Sequence, residues 1–303
     1  MGGVRFRRLH ALGVAVIAAV SVAGVAQAWT VVRPVTVDTP AERLAGAPPA
    51  APSPSLLTSD SAWLAISAYG TMDAVQGFDH WLALASCRRR VTTSCRNYDS
   101  SVPETSYEVI DRYGDEFDVL IQAAGYDDGD RDFVSDVERT IALTRRHGYA
   151  RVVWVTLRAN VTYNSGVGFA EVYERNNASI KALRDSGDYP ELVVADWAGY
   201  AHDRSEWFSS DGIHMNTLGA YAAADYISRK MAFLEQRPCP HPPAPGLPNT
   251  GPCPDPDVTG PINDIAALYP TAVMSPESRI GTDEYLIFEG EGSWPDPPWW
   301  SAT

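Results

Sequence analysis

The sequence predicts an α/β protein in three α/β/α layers, a parallel sheet covered by helices on both faces. Three observations carry this. Between residues 57 and 235, short apolar runs of β type alternate with segments whose apolar residues recur at helical spacing. The run Val152-Val153-Trp154-Val155-Thr156-Leu157 is almost wholly apolar, as a strand covered on both faces should be. Two helical segments stop at glycine, Gly148 and Gly187, the residue that best ends a helix. Units that alternate in this way wind a parallel sheet. Ligand sites on such sheets lie at the carboxyl ends of the strands.

The chain begins with a segment read as an address label. Arg5, Arg7, Arg8 and His10 form a basic region, Ala11 to Ala26 is apolar, and Ala26-Gln27-Ala28 has the small-x-small form of a cleavage site. Residues 1–28 are therefore expected to be an export signal, with Trp29 as the mature N-terminus. The alternative is an uncleaved membrane anchor, which reaches the required length only by running on to Val32. Residues 29–56, rich in Ala, Pro and Ser, cannot bury enough apolar area to order themselves and read as a linker. Within the domain expected at 57–235, the strand candidates are Trp63–Ile66, Val119–Ala123, Val152–Leu157 and Leu192–Ala195. The helix candidates carry Phe133, Val137 and Ile141, then Val172, Asn176 and Ile180. Thr217 caps a last helix containing Leu218, Tyr221, Ala222, Asp225 and Tyr226. Residues 236–303 differ in character. Ten prolines fall between Pro238 and Pro261, which makes this stretch extended. Trp294, Trp299 and Trp300 close the chain, as a strap packed on the domain or as a sugar-stacking surface.

Charge excludes two classes of partner. The 24 basic and 38 acidic residues give −14 at pH 7. The balance after residue 28 is more acidic still, because residues 1–28 hold three arginines and no acid. Binding nucleic acid requires a basic face, and so does an electrostatic hold on anionic lipid. A membrane association is expected only through an uncleaved N-terminal segment. The four cysteines suit an exported chain. Pairing of neighbours, Cys87 with Cys95 and Cys239 with Cys253, is preferred over a zinc site, since no C-x-x-C occurs.

The strongest chemical signal is Trp207-Phe208-Ser209-Ser210-Asp211-Gly212-Ile213-His214. An Asp three residues before a His can turn its carboxylate onto the imidazole. It then fixes the tautomer and leaves the other ring nitrogen to take a proton from a hydroxyl. The blander alternative is a turn that satisfies its own polar groups. A second block, Phe117 to Ala124 followed by Gly125-Tyr126-Asp127-Asp128, is a strand ending in a glycine turn.

Together these blocks resemble the SGNH/GDSL hydrolase superfamily over about residues 60–232. The resemblance implies a flavodoxin-like three-layer sandwich and cleavage of esters of lipids, sugars or acylated glycans, with no cofactor and no metal. Carried over, it makes His214 the base, Asp211 its orienter, and Gly125 with Asp127 the oxyanion region. The family nucleophile belongs to a Gly-Asp-Ser turn after the first strand. With that strand at Trp63–Ile66, the hydroxyl at its end is Ser67, two residues early, and Thr71 lies two residues late. The sequence departs from the family at three places. It has no Gly-Asp-Ser, no glycine between Gly77 and Gly114, and an Asp where the family has an Asn that donates to the oxyanion. A carboxylate at that position repels an oxyanion unless burial keeps it protonated.

Two readings stay open: a secreted ester hydrolase with Ser67, Asp211 and His214, or a degenerate relative that binds an envelope glycan or protein partner without cleaving it. A small-molecule or glycan ester is the expected substrate, and oligomeric state is not legible. Four further patterns have plainer readings. Asp128, Asp130 and Asp132 lack the Gly and Glu of a calcium loop. Asp127, Asp211 and His214 make a metal site only if they converge. Arg88-Arg89-Arg90 is by default a solvated surface cluster, with an anion-binding role as the alternative. Asn160-Val161-Thr162 and Asn177-Ala178-Ser179 match the glycosylation triplet by a pattern that chance often supplies.

Overall fold

A computed structural model describes residues 53–97, 100–129, 132–161, 169–240, 251–261 and 264–269. The export signal and its cleavage site, residues 29–52 of the linker, and Trp294, Trp299 and Trp300 lie outside the described residues.

Five strands form one parallel sheet: β1 Ser55–Ser59, β2 His80–Leu84, β3 Val119–Gln122, β4 Arg151–Val155 and β5 Leu192–Ala195. Their spatial order is β2-β1-β3-β4-β5. This is the doubly wound, flavodoxin-like order, and its switch point lies between β1 and β3. The long helices are α1 Ser61–Ala68, α2 Ser106–Tyr113, α3 Phe133–His147, α4 Phe169–Ser186 and α6 Thr217–Leu234; short ones are α5 Trp197–Tyr200, α7 Pro256–Thr259 and α8 Ile265–Leu268.

Alternate strand residues enter opposite cores, as the two-residue period of a strand requires. Leu57, Ile121, Val153 and Val155 pack with α1 and α6 residues such as Trp63, Ile66, Tyr226 and Ile227. Leu56, Leu120, Val152 and Trp154 pack on the other face with Ile110 of α2, Val137 and Ile141 of α3, and Ile180 of α4. The three-layer architecture follows directly from these two cores.

Three expected elements match closely, and two N-terminal ones do not. The strands at 119, 151 and 192 lie where the apolar runs put them, and Gly148 ends α3 in the left-handed conformation (φ 79°). The last helix is capped by Asn216, one residue before Thr217, its side chain accepting from the Gly219 amide at 3.1 Å. Trp63–Ile66 is a stretch of α1, not a strand. Its residues are apolar all round because α1 is wedged between the sheet and α6. The true first strand, Ser55–Ser59, begins inside the stretch read as linker. Its hydroxyls are satisfied, Thr58 by Gln122 of the neighbouring β3 and Ser55 by the Ser53 carbonyl, so a Ser/Thr-rich segment can run through the middle of a sheet.

The described part of the C-terminal region packs on the α6 face. Lys230 bridges Asp255 and Asp257 at 2.8 and 2.7 Å, Tyr226 donates to Asp257, and Ile265 joins the core. Both disulfides, Cys87–Cys95 and Cys239–Cys253, are present. No helix among the described residues is long and apolar enough to cross a membrane.

Candidate active site

The switch point brings the end of β1 beside the end of β3, and the loop before α6 folds over both. At the end of β1, Asp60 caps α1: its Oδ1 accepts from the Ala62 amide at 3.0 Å. Its Oδ2 accepts from the amides of Gly125 and Tyr126 at 2.7 and 2.8 Å. Asp60 is fully buried, and desolvation raises its pKa while these three amides pull it back. One carboxylate thus ties the start of α1 to the turn after β3.

Ser61 is the first residue of α1 and is 9% exposed. Its Oγ lies 2.9 Å from Nε2 of His214, and Nδ1 of His214 lies 2.6 Å from Oδ2 of Asp211. The other oxygen of Asp211 accepts from the amides of Ile213 and His214 and from the Ser209 hydroxyl, at 2.8, 3.0 and 2.7 Å. Burial works to raise the Asp211 pKa; the hydrogen bond and charge of His214, the Ile213 amide and Ser209 outweigh it and hold the carboxyl well below the usual range. An ionised Asp211 only accepts, so the proton on the imidazole sits at Nδ1 and Nε2 accepts from Ser61.

The turn that carries Asp211 and His214 is held from below. Gly212 has φ 75°, and a Cβ on it would lie 2.3 Å from the Asn160 carbonyl oxygen. The buried guanidinium of Arg158, at the end of β4, donates to the carbonyls of Gly212 (2.7 Å) and Asn160 and stacks 4.3 Å over the Phe208 ring. Tyr126 fixes Arg158 in turn, its hydroxyl accepting from the Arg158 amide at 2.7 Å.

The expected residues are distributed as follows. Asp211 and His214 face each other. Ser67 does not face His214: it lies near the end of α1, where its hydroxyl donates to the Leu64 carbonyl at 3.0 Å. The misplacement follows from reading α1 as the first strand. The available signal was Ser59-Asp60-Ser61, an acid between two hydroxyls just before an apolar run, which is a helix-start signature. The Gly125 amide is engaged by Asp60. Asp127 lies within electrostatic reach of His214, and its carboxyl is pushed up to about 7 by burial first, then by Asp60 and Asp128, against His214 and Arg89.

The arginine cluster is not a solvated patch. Arg88 and Arg90 are buried; Arg89 Nε donates to the Asp127 carbonyl at 2.9 Å, and the Arg90 amide donates to the Asp128 carboxylate at 3.1 Å. The Arg90 guanidinium stacks 4.8 Å over Phe133 and lies under Gly125, where a Cβ would come within 2.7 Å of its Nη1. The disulfide loop after β2 therefore buttresses the turn after β3. Asn177 clamps both backbone groups of Leu157 through its side chain, at 2.8 and 2.6 Å. Among the described residues, no group of three or more His, Cys, Asp or Glu side chains is arranged to hold a metal ion.

Several solved structures are similar to the chain. The C-terminal catalytic domain of a Streptococcus pneumoniae peptidoglycan O-acetyltransferase is 16% identical and has a TM-score of 0.45, over 59% of this chain and 92% of that one. A carbohydrate acetylesterase family member from Sinorhizobium meliloti is also 16% identical, with a TM-score of 0.43 over 59% and 98%. An M. smegmatis aryl esterase is 10% identical, with a TM-score of 0.40 over 58% and 98%. No family model and no curated relative matches the sequence.

Proposed function

We propose that the chain is an exported serine hydrolase or acyltransferase of the SGNH type, acting on an ester of a lipid, sugar or acylated glycan. The observation that supports this most is the continuous hydrogen-bonded line Ser61–His214–Asp211. Ser61 would attack the ester carbonyl as His214 Nε2 takes its proton. Asp211 would stabilise the imidazolium without itself being protonated. His214 would then return the proton to the departing alcohol. Water would release the acyl group in hydrolysis, and a second hydroxyl would do so in transfer.

The non-cleaving reading drew on the missing Gly-Asp-Ser, the missing glycine between Gly77 and Gly114 and the Asp at position 127, which left the nucleophile in doubt. Ser61 supplies one, and this favours the enzyme. Export is supported by the two disulfides and by the N-terminal sequence. The test is turnover of short-chain 4-nitrophenyl esters by the purified chain beside His214→Ala. Loss of turnover in the variant is expected; equal turnover by both proteins rejects the proposal.

A further inference from the structure

We infer that Arg158 is a positioning residue for the second half of the reaction: by gripping the Gly212 carbonyl it keeps His214 in place while Ser61 is acylated and can no longer hold the imidazole. The inference rests on the hydrolase reading and deepens it. A ring of hydrogen bonds joins Ser61 to His214 by the back of the site. Ser61 follows Asp60, whose carboxylate takes the Ala62 amide with one oxygen and the Tyr126 amide with the other, at 3.0 and 2.8 Å. The Tyr126 hydroxyl accepts from the Arg158 amide at 2.7 Å and donates to the Arg158 carbonyl at 3.3 Å. The Arg158 guanidinium donates to the Gly212 carbonyl at 2.7 Å, and Gly212 lies between Asp211 and His214. Nε2 of His214 closes the ring on the Ser61 hydroxyl at 2.9 Å.

Arg158 is built for this task. It is 4% exposed, and its guanidinium donates to carbonyls of three separate segments: Gly212, Asn160 and, at 3.3 Å, Ala201. Its flat face rests 4.3 Å from the Phe208 ring centre. A planar fork with donors at fixed angles can serve several carbonyls at once, which a lysine ammonium on a flexible stem does not reproduce. The turn's own bonds close on themselves. The Ser209 amide donates to the His214 carbonyl at 2.8 Å, and the Gly212 amide donates to the Ser209 carbonyl at 3.0 Å. They shape the turn but do not set its distance from α1. Arg158 sets that distance, because it ties the turn to the end of β4.

The reaction opens the ring at one link. In the first half, the Ser61 Oγ–carbon bond forms, the Ser61 proton passes to Nε2, and the carbon–alkoxy bond breaks as the alcohol leaves with that proton. Ser61 Oγ is then an ester oxygen with no proton to donate, and Nε2 has lost its donor. The bond from Nδ1 to Asp211 persists, but Asp211 belongs to the same turn and moves with it. In the second half a water, or an acceptor hydroxyl, attacks the acyl carbon while Nε2 takes its proton. Collapse breaks the acyl–Oγ bond, and the proton returns to Oγ. The base must therefore stay in place exactly when Ser61 does not hold it, and the grip of Arg158 on Gly212 does so.

Stopped-flow release of 4-nitrophenol from 4-nitrophenyl acetate separates the two halves: the burst reports acylation and the steady phase deacylation. Wild type and Arg158→Met are compared, beside the labelling rate of Ser61 by a fluorophosphonate probe. In Arg158→Met the burst and labelling rates are expected to stay within about threefold of wild type. The steady phase is expected to fall about 10²-fold, the cost of an ångström-scale misplacement, so that kcat and KM drop together. Burst and labelling rates that fall as far as the steady phase, or a steady phase within about twofold of wild type, overturn the role of Arg158 and leave the hydrolase intact. If Arg158→Met does not fold, Arg158→Lys decides by the same split, at about tenfold. A measurement on the unaltered chain needs no variant. Amide exchange at residues 209–214 is expected to be the same before and after Ser61 is phosphonylated; a rise on phosphonylation shows that Ser61, not Arg158, holds the turn and overturns the inference. No labelling of Ser61 in wild type removes the hydrolase reading itself.

Discussion

His214 Nε2 lies 2.9 Å from the Ser61 hydroxyl oxygen although 153 positions separate the two residues. Only the sheet order makes this possible, since it sets the end of β1 at the switch point and lets the loop before α6 close over it. Ser67, just six residues further along α1, is turned inward to its own helix. Ser61→Ala is therefore expected to lower ester turnover by about 10⁴-fold or more. Ser67→Ala is expected to change turnover less than twofold and stability by about 0.5 kcal/mol or less. Parallel kcat/KM measurements and melting curves check this; a reversed order of the two variants refutes the placement of the nucleophile.

Asp211 does two jobs with two oxygens. One orients the imidazole, and the other ties down the turn through two amides and a hydroxyl. Asp211→Asn preserves the shape but presents an amide where a carboxylate held the Nδ1 proton. A drop in kcat of about 10⁴-fold is expected, with a normal circular dichroism spectrum. The sign of the pH effect is also fixed. The folded pKa is depressed, so this stabilisation is fully present above the ordinary carboxylate range and is lost as pH falls through and below it. Acid unfolding of the variant should show a shallower dependence on pH below about 4.

Much of the fold was legible, and the reason the rest was not is physical. The strands at 119, 151 and 192 are apolar because both faces are covered, and period and composition agree there. β1 is equally buried but reads Ser-Leu-Leu-Thr-Ser, with its polar groups satisfied by neighbours that no local pattern reveals. α1, Ser-Ala-Trp-Leu-Ala-Ile-Ser-Ala, is apolar on all sides and short, and a buried helix of that kind cannot be told from a strand by periodicity. Shifting the first strand by one element moved the expected nucleophile to Ser67. The contact between Asp211 and His214 was legible because the two residues are local in sequence. The burial of Arg90 was not, because it depends on the turn after β3 arriving from 38 residues away.

Gly212 separates Asp211 from His214 in a left-handed conformation, with the Asn160 carbonyl where a side chain would begin. Gly212→Ala must pay for both strain and collision. Expected are a loss of about 1–3 kcal/mol in stability and a larger proportional loss in kcat than in substrate affinity, because the imidazole is displaced from Ser61. Urea unfolding and steady-state kinetics measure the two effects; wild-type kcat in a folded Gly212→Ala protein contradicts the account of the turn.

Asp127 should also reveal itself in stability. Its folded pKa is raised to about 7, so the folded state holds its proton more tightly than the unfolded chain does. The favourable contribution is present below the ordinary carboxylate value and is lost as pH rises through about 7. Asp127→Asn removes that loss. The variant is expected to melt at the same temperature as wild type at pH 4 and several degrees higher at pH 8, with most of the divergence between pH 5 and 7.5. Equal melting temperatures at pH 8 would show that the carboxyl is not strained by its surroundings.

The two disulfides should separate stability from catalysis. Cys87–Cys95 closes the loop whose Arg89 and Arg90 hold the turn at Asp127 and Asp128, whereas Cys239–Cys253 pins the segment after α6. Chain-entropy arithmetic gives each loop about 2–3 kcal/mol, with the longer one slightly more. Replacing either pair by serine is therefore expected to lower Tm by a comparable amount. The outcomes should part at the active site. Loss of Cys87–Cys95 lets the loop after β2 relax, withdraws the Arg89 and Arg90 contacts, and should reduce kcat at least tenfold in protein that is still folded. Loss of Cys239–Cys253 should leave kcat within about twofold, because no described contact links that segment to Ser61, His214 or the turn after β3. Equal kcat losses in the two double variants would mean that the arginine loop does not support the site.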